Sequence, residues 1–206
     1  MPALLQIDSS PRSASVSNRL TAAFVARWKR QNPGGIVSYH NTSLEQFPYL
    51  DENVIDAFFL PAEERSATQN RALVFSDQLV DELLAADIIV LGAPMWNLSI
   101  PASLKAWIDL IVREGRTFEF SANGVVPLIP PGKRAYVFSA RGGAYPAGTP
   151  FHDFDLQEPY LRKILGVIGL TQIEFIYAEN QSDGPEAAAE GLASAERTLE
   201  SLAALV

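Results

Sequence analysis

Ala86-Asp87-Ile88-Ile89-Val90-Leu91-Gly92-Ala93 is the stretch that decides the fold. Four large aliphatic residues follow one another with no polar alternation, which suits a strand covered on both faces, the habit of a central parallel strand. On its N-terminal side Leu73, Leu79, Val80 and Leu83 recur at helical spacing. On its C-terminal side Leu104, Trp107, Ile108, Ile111 and Val112 form an apolar stripe behind Pro101, a residue suited to a first helical turn. A buried strand between two amphipathic helices is therefore the local unit.

The same unit repeats outward. Residues 3–7 read as a first strand, followed by a helix carrying Leu20, Phe24, Val25 and Trp28 that Pro33-Gly34-Gly35 stops. Residues 36–39 read as a second strand, and residues 51–84 as helix in two pieces broken near Pro61. A Pro/Gly-rich loop at 127–132 precedes a fourth strand at 135–138. Helix at 161–168, a fifth strand at 173–177 and a terminal helix at 185–205 complete the chain. Strict alternation of this kind predicts a doubly wound α/β domain with a five-stranded parallel sheet and right-handed crossovers. The flavodoxin-like order 2-1-3-4-5 is the natural candidate, placing the topological switch between strands one and three, with ligands beyond the strands' carboxyl ends. No repeat or linker divides residues 1–206, so a single domain is expected.

Composition narrows the function. The chain has 24 acidic and 16 basic residues, a net charge of −8, and no Lys/Arg run, which argues against nucleic-acid and anionic-membrane partners. There is no cysteine, so disulfides, thiolate metal sites, iron–sulfur clusters and thiol nucleophiles are excluded. The first residues lack a basic n-region and no run is long enough to span a bilayer, so a cytoplasmic location is expected. His40 and His152 stand alone, without the spacing of a hydrolytic triad or a metal site.

Three loops then carry the chemistry. After strand one, Ser9-Ser10-Pro11-Arg12-Ser13-Ala14-Ser15-Val16-Ser17-Asn18 runs into a helix, offering hydroxyls and free amides to a phosphate. It has neither a Walker pattern nor a dinucleotide fingerprint, so a monophosphate suits it. A loop that caps its own helix through Ser15 or Ser17 is the equal alternative. After strand three, Ala93-Pro94-Met95-Trp96-Asn97-Leu98-Ser99-Ile100-Pro101 sets large apolar side chains on a proline-stiffened backbone, which suits a flat heteroaromatic ring. Packing of Trp96 and Leu98 under a neighbouring loop or in a dimer interface is the other reading. After strand four, Ala140-Arg141-Gly142-Gly143 allows backbone to approach a ligand closely, or forms an ordinary turn.

Taken in order, Ser9-Ser10, the Ser-x-Ser-Asn helix start, Ala-Pro-Met-Trp-Asn-Leu, Leu104-Lys105-Ala106-Trp107-Ile108-Asp109, Thr117-Phe118 and Arg141-Gly142-Gly143 resemble the FMN-dependent NADH-azoreductases, within the flavodoxin-like NAD(P)H:quinone oxidoreductases. The resemblance runs through nearly the whole chain, ending with Gly166 to Gly169 and Ala178-Glu179. It implies a non-covalent FMN, NADH or NADPH as co-substrate, a quinone or azo acceptor, ping-pong exchange and a homodimer. It implies phosphate contacts from Ser10, Ser15, Val16 and Ser17, ring contacts from Met95, Trp96, Asn97 and Leu98, and a far wall from Ala140, Arg141, Gly142 and Gly143. Phe120 matches an aromatic position of the acceptor pocket, or else belongs to the core. No side chain is expected to act as nucleophile or obligatory acid, because the flavin carries the chemistry. Two departures stand out: Trp96-Asn97-Leu98 replaces the family's usual Tyr-Asn-Phe, and Ala140 replaces Ser. A flavodoxin-type electron carrier serving a protein partner would share fold and cofactor. A receiver-type signalling domain would need an acidic cluster that Asp8 alone does not supply, and an Asp where Pro94-Met95 stands.

Overall fold

The computed structural model describes residues 1–202. Five strands form one parallel sheet: β1 (Ala3–Asp8), β2 (Ile36–Asn41), β3 (Ile88–Gly92), β6 (Arg134–Ala140) and β7 (Gln172–Ala178), in the order β2-β1-β3-β6-β7. The five parallel strands expected from the sequence are thus present. The expected series 2-1-3-4-5 did not allow for an extra antiparallel hairpin, β4 (Phe118–Ser121) with β5 (Gly124–Pro127), between the third and fourth sheet strands. Its turn contains Asn123-Gly124, a dipeptide that favours tight hairpins.

Strand alternation decides which helix each side chain meets. Leu5, Ile7, Ile89, Leu91, Ala135 and Val137 face one side. They pack on α3 (Ala67–Ala85), α4 (Ala102–Ile111) and α5 (Gln157–Val167) through Leu79, Leu83, Leu104, Trp107, Leu161 and Leu165. Leu4, Ile88, Val90, Tyr136, Phe138 and Ile176 face the other side. They pack on α1 (Val16–Gln31) and α6 (Pro185–Leu202) through Leu20, Phe24, Trp28, Ala195 and Leu199. Both faces are dry, as the unbroken aliphatic run of β3 requires. The expected terminal helix extends to residue 205, and residues 203–205 lie outside the described residues.

The insertion between β2 and α3 forms α2 (Glu52–Phe59), whose Val54 and Ala57 pack on Leu73 of α3. Its end at Leu60-Pro61 is the break expected from the proline. His40 ties this region to the sheet: its Nδ1–H donates to Glu45 and its Nε2–H to Glu82 of α3, each at 2.7 Å. Burial alone would lower the His40 pKa, but the two carboxylates outweigh it and hold the ring above its usual value. His40 is therefore a structural tie.

Candidate functional site

All five parallel strands end on the same edge of the sheet, and four exit loops meet there. Ser10, Arg12, Ser15 and Val16 from the loop after β1 line one side of a cleft of about 270 Å³. Pro94, Met95 and Trp96 after β3, Ala140 and Gly142 after β6, and Gln181 and Ser182 after β7 complete it. The first three loops are those singled out by sequence. The β7 loop was not, because polar residues in an aperiodic turn carry no pattern. One faint signal exists there: Asn180 holds φ 58°, a left-handed conformation that Asn tolerates better than most residues.

In the β1 loop, Ser15 is the N-cap of α1, accepting from the Asn18 amide at 3.3 Å. Capping is therefore one of its tasks, while its residue still lines the cleft. Ser17 is fully buried, with its Oγ 3.1 Å from Ser15 Oγ. Its hydroxyl meets the neighbouring serine, and Ser17 is not among the residues that line the cleft. The Val16 and Ser17 amides lie in the first helical turn, where no intrahelical acceptor exists. The loop is braced from below: Asn18 and Asn41 donate to the Ser10 carbonyl at 3.1 and 3.2 Å, and Ser43 Oγ donates to the Ser9 carbonyl. Beneath it Asp8 is buried against Thr21 and Gln6, and burial pushes its carboxyl up to about 6.

The β3 loop closes on itself. Trp96 and Ser99 exchange backbone hydrogen bonds at 3.0 and 3.1 Å, and the two residues between them, Asn97 and Leu98, hold φ 48° and 70°. This is the backbone of a primed turn, in which glycine is usual at the second position. Leu98 there stores strain on the order of 1–2 kcal/mol. Among the described residues the Asn97 and Leu98 amides donate to no backbone acceptor. Met95 is fixed by its amide to the Ala140 carbonyl at 2.8 Å. Trp96, 39 % exposed, stands between the first cleft and a second of about 540 Å³, walled by Ile100, Pro101, Lys105 and Tyr160. Asn97 lines that second cleft. Trp96 is thus neither sealed in the core nor plugging the cleft, whereas half-buried Leu98 lines neither cleft and has its carbonyl held by the Leu156 amide.

In the β6 loop the Arg141 side chain turns away from the cleft and is only 2 % exposed. It pairs with Asp155 at 2.9 Å, lies 4.1 Å from the Tyr177 ring centroid, and donates from Nε to Ser139. Only the Arg141 backbone reaches toward the site: its carbonyl, with those of Gly142 and Gly143, accepts amides of Gln181, Ser182 and Asn180. Phe120 sits on the hairpin, 64 % exposed and edge-on to Phe118, so it is not core, and it does not line the cleft of its own chain. His152 lies on an exposed turn with Nδ1 3.4 Å from the Tyr145 carbonyl. Among the described residues no cluster of His, Asp or Glu could hold a metal ion, and no helix is long and apolar enough to cross a membrane.

What the arrangement can do follows from its parts. It offers hydroxyls and helix-terminal amides for one phosphate, a stiff backbone with free amides beside an indole, and no paired acid and base. A family model described as flavodoxin-like fold (Flavodoxin_2) matches residues 2–203. An FMN-dependent NADH:quinone oxidoreductase of Nostoc sp. is 45% identical over 95% of this chain and 95% of its own length. One from Azotobacter vinelandii is 44% identical over 98% and 100%. A crystal structure of azoreductase from Bacillus anthracis str. Sterne superposes with a TM-score of 0.89 at 28% identity, covering 98% and 99%.

Proposed function

The chain belongs to the flavodoxin-like family of FMN-dependent NADH:quinone oxidoreductases, and from that premise we propose that it passes two electrons from NADH to quinones and azo compounds through non-covalently bound FMN. The observation that carries the reading is the convergence of the β1, β3 and β6 exit loops on one cleft, with a hydroxyl-lined end and an aromatic end. The residues present fit the group: a monophosphate suits Ser10, Ser15 and the Val16 and Ser17 amides, and a flat ring suits Met95 and Trp96 beside the Asn97 and Leu98 amides. Ala140 and Gly142 line the cleft on the opposite side, Gly143 lies outside that lining, and Arg141 braces the segment from behind through Asp155. FMN, when bound, supplies the redox chemistry.

The protein's own part is positioning. The Asn97 and Leu98 amides of the primed turn would hold the ring of FMN and, being fixed, would favour its negatively charged reduced form at little reorganisation cost. Trp96 and the wider cleft beside it give flat acceptors an apolar surface, and nicotinamide and acceptor occupy that surface in turn. In this reading no side chain acts as nucleophile, because bound FMN would carry the chemistry. The one-electron carrier reading gains no support from relatives named as two-substrate oxidoreductases.

The functional unit in this reading is a homodimer of a cytoplasmic protein that engages neither nucleic acid nor membrane. Phe120, Val125 and Val126 on the hairpin, with Phe151, Phe154 and Leu156 before α5, leave an apolar surface in water that a second copy can cover. Phe120 would then line the acceptor pocket of the partner rather than its own.

Purified protein should be yellow and should release FMN, not FAD, on heating. NADH oxidation should require menadione or an azo dye and give parallel double-reciprocal lines. Colourless protein that FMN does not reconstitute, or turnover with a protein acceptor alone, would overturn the reading.

A further inference from the structure

Behind the β3 loop, on the side away from the cleft, runs a chain of buried polar groups that the proposed reaction does not use. Arg141 Nε–H donates to Ser139 Oγ at 3.1 Å, the Ser139 hydroxyl donates to Gln157 Oε1, and Gln157 Nε2–H donates to the Ala93 carbonyl at 3.0 Å. Ser139 and Gln157 are fully buried. The direction of the chain is forced. A carbonyl only accepts, so the Gln157 NH2 must face Ala93 and its amide oxygen must face Ser139, which gives that oxygen its single proton while accepting from the donor-only guanidinium. That Ala93 carbonyl belongs to the peptide bond with Pro94, where β3 turns into the loop.

The same short segment grips the other end of that loop. Asp155 Oδ1 accepts the Gln157 and Glu158 amides at 3.0 Å each, while its Oδ2 pairs with Arg141. Between Asp155 and Gln157, the Leu156 amide donates to the Leu98 carbonyl at 3.0 Å. Leu98 is the strained residue of the primed turn. Residues 155–157, at the start of α5, therefore hold both Ala93 and Leu98, and no local pattern in Asp155-Leu156-Gln157 announces it.

We propose that Gln157 is a positioning residue: through Ala93 it fixes the height of the Met95–Leu98 backbone, and so sets how firmly the Asn97 and Leu98 amides meet the ring of bound FMN. This rests on the functional reading above. Gln157 touches no cofactor; it acts through the peptide chain.

The test uses Gln157→Glu and Gln157→Met in the full-length protein. A neutral Glu carboxyl donates to Ala93 as the amide does, and an ionised one cannot. The surrounding charges, Arg141 with Asp155 and Glu158 with Arg162, are already paired, so the new carboxyl's own protonation governs the response. Relative to wild type at each pH, Gln157→Glu should bind FMN normally at acid pH and about tenfold more weakly at alkaline pH, the loss of one hydrogen bond to a buried acceptor. Gln157→Met should be weak at every pH, and the midpoint potential of its bound FMN should differ from wild type. Gln157→Glu guards against a Gln157→Met chain that fails to fold. Equal FMN affinity and potential in Gln157→Glu and wild type across the pH range would overturn the proposal. So would a loss that tracks melting temperature alone with no recovery at acid pH. A wild-type chain that binds no FMN would instead defeat the functional reading itself.

Discussion

Asp8 shows how much a single residue under the site decides. Its carboxylate is buried, accepts from Thr21 Oγ1 at 2.7 Å, and lies so close to Gly92 that a Cβ there would stand 2.4 Å from Oδ1. Glycine at 92 is what lets β3 run beside the carboxylate. Burial raises the Asp8 pKa from the ordinary 3.8 to about 6. The folded chain therefore holds this proton more tightly than the unfolded chain, so stability falls as pH rises from 3.8 to about 6 and levels off above. Asp8→Asn should flatten that decline, worth on the order of 2–3 kcal/mol, in urea midpoints measured from pH 4 to pH 7. An unchanged slope would place the titration elsewhere. Residue chemistry at this depth was only half legible beforehand. Ser10, Ser15, Met95 and Trp96 were singled out by type and place, and they line the cleft. That the Arg141 guanidinium would turn inward to Asp155 depends on a partner fourteen positions away, which no local pattern reveals. Gln157, Gln181 and Ser182 escaped for the same reason.

Among the elements, the turn at Trp96–Ser99 is the one where local preference and tertiary demand conflict. Two consecutive non-glycine residues with positive φ persist because Leu156 holds the Leu98 carbonyl and Ala140 holds the Met95 amide. Leu98→Gly should leave stability within about 1 kcal/mol of wild type, since released strain and added unfolded-state entropy offset each other. Leu98→Val, β-branched at the same angles, should lower it by roughly 1–3 kcal/mol. Thermal melts of the two variants check the difference; equal melting points would show that the turn carries no strain. Strands and helices were legible because their apolar residues form an unbroken run, as Ile88 to Leu91 do, or keep helical period, as Leu104 to Ile111 do. The hairpin was not legible because all its residues but half-buried Phe118 are exposed, so no burial pattern marks them, and only Asn123-Gly124 spoke for it.

At the scale of the whole molecule, a net charge of −8 accompanies exposed apolar side chains on the hairpin and on the segment before α5. Charge keeps such a chain dispersed, while exposed phenylalanines favour a defined contact between copies. Sedimentation at micromolar concentration should give the mass of two chains, and Phe120→Asp with Val126→Asp should shift it to one. A monomeric wild type would remove the partner's Phe120 from the acceptor pocket. Every parallel strand delivers its carboxyl end to one edge of the sheet, while the packing that holds the domain lies on its two faces. Variation and durability are thereby assigned to different parts of the polypeptide. A library randomised at 96 and 140 would sample new dyes and oxidants without disturbing either layer of helices, which makes this scaffold a convenient starting point for directed evolution.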